Sequence, residues 1–566
     1  MFRRNFTVFG VIVLALFLAL PGFGAKQADP KVQESLAAKI DALLAPVYKI
    51  GEPGAALLVV KDGQVLVRKA YGTADLELGV GLEPDMVFRI GSMTKQFTAV
   101  AILMLMEQEK LGLNDPITKF LPDYPTQGRT ITVEHLLTHT SGIKDYTSLP
   151  EWLPLWRKDM SLTELIALFK DKPMDFEPGE RWRYCNSGYV LLGAIIEKAS
   201  GMSYEAFLQQ AIFSPLGLKH TYYGSASRII PLRIPGYGPG SDNTFLNAEY
   251  LSMTQPYAAG SLLTNVDDLA VWNDALLSGR LIKRETLEKA WTPYKFKDGT
   301  SAGYGYGWAI GKYEGHRMII HGGGINGFLS AGILFPEDRL FVTLLTNSAI
   351  VARMPYKFSL PIAALALGKP FEPKVVSVPE KALAPLAGVY VNAWKEEFFV
   401  RVDGARVQIS GPKIAWTVVL PLSPDVFFVD DGMMVRVEFK RNAKGRPIEV
   451  AFCPSYGPVV RFVRTNKPLP RERISISIDP QVFDQYVGEY ELALGITIKT
   501  FRDGARFMIQ APGQPELEIF AESKTKFFLK AVDAQAEFVR DAAGKVTGMV
   551  FIQDGRQMKA KKIEKE

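Results

Sequence analysis

Residues 88–108, FRIGSMTKQFTAVAILMLMEQ, place a serine and a lysine one helical turn apart where an apolar run begins. Residues three apart share one face of a helix, so the Lys95 amine reaches the Ser92 hydroxyl. Two readings follow: Ser92 caps the helix with Lys95 on its solvated face, or Lys95 takes the proton of a nucleophilic serine. An alcohol is a poor nucleophile at neutral pH, whereas a lysine partly desolvated at a helix N-terminus releases its own proton more readily and can accept another. The same N-terminus leaves the Ser92 N–H free to donate to an oxyanion. A bare Ser-x-x-Lys is weak, since about two are expected by chance in such a chain, and this sequence holds four. The pair Ser141 and Lys144 encloses Gly142, Ser410 and Lys413 enclose Gly411 and Pro412, and Ser523 and Lys526 lie among strand-like runs. Only Ser92 and Lys95 open a helix.

The company of the pair decides between the readings. RYCNSGYVLLGAIIEKASG supplies Tyr-x-Asn at Tyr184 and Asn186, and IIHGGGINGF supplies a strand-borne His-Gly-Gly at residues 321–323. LLTHTSGI at 136–143 and AAGSLLTNVDDLAVWNDALL at 258–277 accompany them. With these motifs, in this order and at gaps of 92 and 137 residues, the chain over about residues 31 to 365 resembles the class C β-lactamases, D-alanyl-D-alanine carboxypeptidases, D-aminopeptidases and related esterases. The resemblance implies an α/β fold, a β-lactamase/transpeptidase-like sheet flanked by helices with an all-helical region, and a site in the cleft between them. It also implies an acyl-enzyme route: Ser92 attacks a carbonyl, Lys95 and Tyr184 share the proton traffic, and the N–H groups of Ser92 and Gly324 hold the oxyanion. Asn186 then orients the lysine and the substrate amide, with His321, Gly323 and Gly324 along the substrate.

The chemistry of two of these residues is open to expectation. Tyr184 works as a base only if cations such as Lys95 depress its phenol from about 10 towards neutrality. The bland alternative for YCN is a core tyrosine beside a buried cysteine, and YVN at Tyr390 shows the tripeptide arising without function. His321 stands where most β-lactamases of the group carry lysine. An ordinary imidazole is only partly charged at neutral pH, so the site is less committed to an anionic antibiotic. His135 and His139 are read as packing or capping residues. A literal Ser-Asp-Asn at 241–243 lies in the loop GYGPGSDNTF and reads as ordinary turn chemistry. Trp152, Trp156, Tyr237, Tyr304 and Tyr306 fall in loops and read more readily as core or surface aromatics than as cleft walls.

Outside this region the texture changes. GVY at 388–390 recurs as GEY at 488–490, DGAR at 403–406 recurs at 503–506, and EFKRNAKG from Glu438 matches EFVRDAAG from Glu537. Each copy alternates short strand-like runs with tight turns, as antiparallel hairpins do, and the copies resemble lipocalin-like appendages. Within the first 370 residues, LLVVKDGQVLV reads as a hairpin at Asp62 and Gly63, and strands at both ends with helices between them predict a sheet built from distant segments. The expected division is a signal segment at 1–24, a hydrolase domain at 25–370, and β-barrel domains at 371–470 and 471–566.

Arg3 and Arg4 precede an apolar run at 6–20, followed by small residues at Gly22 and Gly24. A run of 15 residues is short for a span of roughly 20 and has secretory anatomy, which places the mature chain, from about Ala25, in the periplasm or outside the cell. Two cysteines, Cys185 and Cys453, and five histidines without HExxH give neither a disulfide framework nor a metal constellation. The net charge of +6 is scattered over 566 residues, which predicts no nucleic-acid partner. The expectation is therefore a secreted serine hydrolase without metal or cofactor, acting on an amide or ester, foremost in small peptides with D-residues. A β-lactamase or carboxylesterase with the same site, and a non-catalytic binding protein using the β-domains, are the alternatives. For the β-domains, a lid over the cleft and a homo-oligomer surface are both open.

Overall fold

The structure, a computed structural model, describes residues 30–240, 244–412, 414–470, 473–492, 496–511, 516–530, 534–553 and 556–563. The expected signal segment and the tripeptide at 241–243 lie outside the described residues. A six-stranded antiparallel sheet organises the first part, in the order Ala309–Tyr313, His316–Ile325, Phe328–Phe335, Leu340–Thr346, Ala55–Lys61, Gln64–Tyr71. Segments 279 to 291 residues apart thus meet where Ala55–Lys61 pairs with Leu340–Thr346. Asp62 and Gly63 both have positive φ, 51° and 75°, the geometry of a two-residue hairpin loop that follows the twist of its strands.

Both faces of the sheet are covered, and side chains divide between them by strand alternation. Ala56, Leu58, Leu334 and Leu345 pack into the larger core with the helices Thr94–Glu107 and Asn186–Ser200. Ala55, Leu57, Val59, Ile333 and Leu344 face the helices Pro30–Leu44 and Tyr356–Ala366. Helix Thr94–Glu107 is buried nearly all round, which explains why its run of apolar residues shows no polar stripe. Helix Asn186–Ser200 ends on Gly201 in the left-handed conformation, as its glycine predicts. Among the described residues no helix is long and apolar enough to cross a membrane.

The repeated tail forms two closed eight-stranded antiparallel barrels. Pairs Tyr390↔Arg464 and Tyr490↔Lys562 close them. Their interiors are filled rather than hollow: Tyr390, Phe398, Phe427 and Phe439 occupy the first, and Tyr486, Tyr490, Phe527 and Phe538 the second. The repeat reaches individual bonds. Tyr390 donates to the Leu386 carbonyl at 2.8 Å and Tyr490 to that of Tyr486 at 2.7 Å, while Arg441 and Arg540 donate to Gly445 and Gly544 at 2.9 and 2.8 Å.

The first barrel is welded to the sheet. Tyr456 stacks on Tyr356, with ring centroids 5.3 Å apart, and forms a bridge with Gly311, while Met434 enters the core beneath Tyr356–Ala366. Arg181 pairs with Glu396 at 2.8 Å and lies over Trp394. Backbones meet at Gly303, where φ is +62° and an added Cβ would lie 2.1 Å from the carbonyl carbon of Gly457. Gly303→Ala must therefore strain the backbone and push the loops apart, at an expected cost of roughly 2–4 kcal/mol. Thermal denaturation of the full chain should show a lower midpoint, with earlier proteolytic cutting between residues 369 and 388.

Candidate active site

Ser92 lies in a single 3-10 turn, Gly91–Met93, that runs into helix Thr94–Glu107. It is interior to that turn, whose N-cap is Ile90, and its hydroxyl is bonded to Lys95. Lys95 Nζ lies 3.1 Å from Ser92 Oγ, 2.8 Å from Asn186 Oδ1 and 2.8 Å from the carbonyl oxygen of Ala259. No part of this lysine is exposed, and burial brings its ammonium down to about 7, with the Asp145 carboxylate opposing the shift. The neutral amine has two hydrogens. Asn186 Oδ1 and Ala259 O are pure acceptors and take both, so the lone pair is left facing the Ser92 hydroxyl.

Tyr184 borders the pair: its ring lies 4.8 Å from Lys95 Nζ, and Ser92 is the polar neighbour that acts on its phenol. The expected depression of this phenol is not what the site produces. Enclosure among apolar and aromatic groups raises it above its ordinary value, and the neighbouring Ser92 hydroxyl only partly offsets that. The physical reason is shared with Lys95: the burial that deprotonates the amine removes the cation that was to stabilise a phenolate.

His321 also departs from expectation. Nδ1 lies 2.6 Å from the Gly322 carbonyl and must donate to it, which leaves Nε2, 2.9 Å from the Tyr304 hydroxyl, to accept. Burial first, and Lys95 second, bring its pKa down to about 3, so it is neutral at physiological pH rather than partly charged. Tyr304 is thus a site neighbour, while Trp152, Tyr237 and Tyr306 are buried with their polar atoms bonded inside the protein.

Glycines bring the His321 strand against the serine. A Cβ on Gly323 would lie 1.9 Å from Ile90 O and 2.8 Å from Ser92 N, and Gly91, at φ +50°, has no room for one beside Gly324. Pairing with Ala309–Tyr313 stops at Ile320, so residues 321–325 pair only with Phe328–Phe335 and keep one edge open. Gly324 is exposed there.

Sequence reasoning missed the residues that hold Tyr184 and Asn186. Asp145 Oδ1 accepts from Asn186 N at 2.9 Å, an orphan N–H of the helix start, and Asp145 Oδ2 accepts from Thr147, which in turn receives Asn186 Nδ2 at 3.2 Å. Asn186 Oδ1 is thereby turned to the lysine. His139, at φ 60°, takes Cys185 N on Nδ1 at 3.1 Å and Arg183 N on its carbonyl at 2.9 Å, clamping the chain on both sides of Tyr184. His135 completes a capping box with Thr132, as its capping reading anticipated.

Residues 36–357 match the family model described as Beta-lactamase, and residues 472–563 match a Domain of unknown function (DUF3471). A penicillin-binding protein of Bacillus subtilis (strain 168) is 26% identical over 523 residues, 89% of this chain and 94% of that one. A D-aminopeptidase of Gluconobacter oxydans (strain 621H) is 28% identical, with 61% of this chain aligned to 64% of that one. Among solved structures, the octameric penicillin-binding protein homologue from Pyrococcus abyssi matches with a TM-score of 0.52 at 28% identity, covering 76% of this chain and all of that one.

The Lys95 environment fixes a pH response. Its pKa falls from 10.5 to about 7, so between those values the unfolded chain binds one proton more than the native one. The burden on stability is full below pH 7 and fades as pH rises across that window. Acylation of Ser92, followed as the second-order rate of fluorophosphonate labelling, should rise with pH about a midpoint near 7. Asp145→Asn, which keeps an acceptor for Asn186 N but removes the charge that favours the ammonium, should move that midpoint down.

Proposed function

The chain belongs to the beta-lactamase family, whose model spans more than half of its length, and on that premise we propose that it hydrolyses amides or esters through an acyl-serine formed on Ser92. The observation that carries the reading is the saturation of Lys95: both hydrogens of its neutral amine are taken, and the remaining lone pair faces the serine hydroxyl.

As Ser92 Oγ bonds to the substrate carbonyl carbon, its proton passes to Lys95 Nζ. The carbonyl oxygen becomes an oxyanion, and the N–H groups of Ser92 and Gly324 are the donors proposed for it. Tyr184, beside Lys95 and held as a phenol, hands its proton to the departing nitrogen or oxygen and regains one from the lysine. A neutral tyrosine acts here as a relay, not as a standing base. The C–N or C–O bond then breaks, leaving the acyl group on Ser92, and water completes hydrolysis. The open edge at 321–325 supports an extended substrate laid beside the strand, since its outward backbone groups have no strand partner.

For the substrate we propose small peptides or amides with a D-residue, in a chain exported from the cytoplasm. The support is the relative described as a D-aminopeptidase and a histidine, held neutral, at the position where a permanent cation would grip the carboxylate of an antibiotic. Ser92→Ala should abolish fluorophosphonate labelling and lower turnover of D-amino-acid amides by at least about 1,000-fold. Tyr184→Phe should cut the rate about 100-fold or more while labelling persists slowly. Undiminished labelling of Ser92→Ala would remove this serine from the chemistry. Faster turnover of a chromogenic cephalosporin than of the amides would overturn the substrate reading.

A further inference from the structure

Three residues before Ser92, Arg89 carries a guanidinium that the fold leaves without a counter-charge. Among the described residues it has no ion pair and no hydrogen bond; its recorded contact is the face of Phe328, 6.0 Å from the ring centroid. The side chain is half-buried, and the groups that act on its charge are another cation, Arg233, whose Nη1 is bonded to the Ser225 carbonyl, and the Tyr250 phenol, which weakly favours it. Burial and Arg233 both work against its charge. Buried charges are normally paired, and one that is not calls for a reason.

Neighbouring cations are accounted for. Lys144 and Arg183 share Asp175, Arg181 holds Glu396, Lys95 is poised to be neutral and His321 is neutral. Arg89 therefore supplies uncompensated positive charge next to the candidate nucleophile. Its location is also defined. Along the segment Val87 to Ile90, Phe88 and Ile90 enter the main core while Val87 packs with Ile230, Met253 and Leu263 on the other face, which alternation gives to Arg89 as well, and Ile325 borders both clusters. Ile325 follows Gly324 and pairs with Phe328, the ring beneath the guanidinium. Arg89 thus flanks the far end of the open edge, past the proposed oxyanion donors. Tyr184 and Lys95, which must protonate the leaving group, lie on the other side of Ser92, beside helix Asn186–Ser200.

We propose that Arg89 binds a carboxylate on the part of the substrate that remains on Ser92, so that the enzyme prefers acyl donors bearing an acidic group. This rests on Ser92 being the nucleophile. A guanidinium matches a carboxylate in a bidentate fork, and the apolar floor of Phe328 strengthens the pair by excluding water.

The test compares carboxylate and carboxamide isosteres in the acyl part: D-Glu against D-Gln 4-nitroanilide, and glutaryl against glutaramyl 4-nitroanilide. Wild type should favour the acid by about tenfold or more in kcat/KM. Arg89→Gln should lose that preference while turning over the carboxamides within about twofold of wild type, and Arg89→Lys should recover part of it. The melting temperature of Arg89→Gln should hold or rise, since an unpaired charge has been removed. Equal preference in wild type, or equal loss on both members of a pair, would overturn the proposal. If neither pair is turned over, protection of Ser92 from fluorophosphonate by glutarate against glutaramide decides the same question, and protection equal for the two, or unchanged in Arg89→Gln, also overturns it. Absence of Ser92 labelling in wild type would instead sink the nucleophile.

Discussion

Everything in the site depends on one amine being taken out of water. Lys95 is fully buried because helix Thr94–Glu107 is packed on nearly every side, against Asn186–Ser200, Tyr257–Gly260 and the sheet. An ammonium there would lack the hydration it has in solvent, and three acceptors cannot fully replace it. The balance tips towards the free base near neutral pH. Core packing and nucleophile activation are therefore one free-energy term seen twice: the apolar burial that stabilises the helix is what leaves its lysine unprotonated near neutral pH and so free to take a proton from serine.

The second requirement is closeness of backbone. Gly323 and Gly91 allow the His321 strand to approach the serine turn to a distance that no side chain would permit. Approach on one side and an unpaired edge on the other are consequences of the same register, since pairing with Ala309–Tyr313 ends one residue before His321. An open strand edge is usually a liability. Here it is only five residues long, glycine-rich and packed against the serine turn through Gly323, which suits it better to a short extended ligand than to a second sheet.

Much of this could be read from the amino acids. Ser92, Lys95, Tyr184, Asn186 and the glycines from 322 to 324 announce themselves by spacing, and the structure brings them together; the two barrels follow from a repeat that preserves even the Tyr390 and Tyr490 hydrogen bonds. Of the protonation states, that of Lys95 could be read, and those of Tyr184 and His321 could not. Residue type supplies the ordinary pKa, but its shift depends on whether enclosure or a neighbouring charge dominates, and enclosure wins at Tyr184, His321 and Lys95 alike. Nor could Asp145, Thr147 and the Ala259 carbonyl be found. They act through backbone atoms and short polar links between loops far apart in the chain, where neither helical nor strand periodicity leaves a trace.

The placement of the first barrel follows from the alternation of the His321 strand. A Cβ on Gly323 would point at Ser92, whereas one on Gly322 would meet the Tyr356 hydroxyl at 2.2 Å, on the opposite face. Tyr356 stacks on Tyr456 of the barrel, and the adjoining Gly457 presses on Gly303, next to the tyrosine that holds His321. The barrel therefore packs on the face of the strand opposite to Ser92. Its contacts reach the site through packed groups, Tyr356 against Gly322 and the loop beside Tyr304 and His321, and through Arg181, three residues before Tyr184, which pairs with Glu396, so it supports the strand on which the substrate is proposed to lie. A filled barrel suits that task better than a hollow one, because a rigid support requires an interior that cannot collapse.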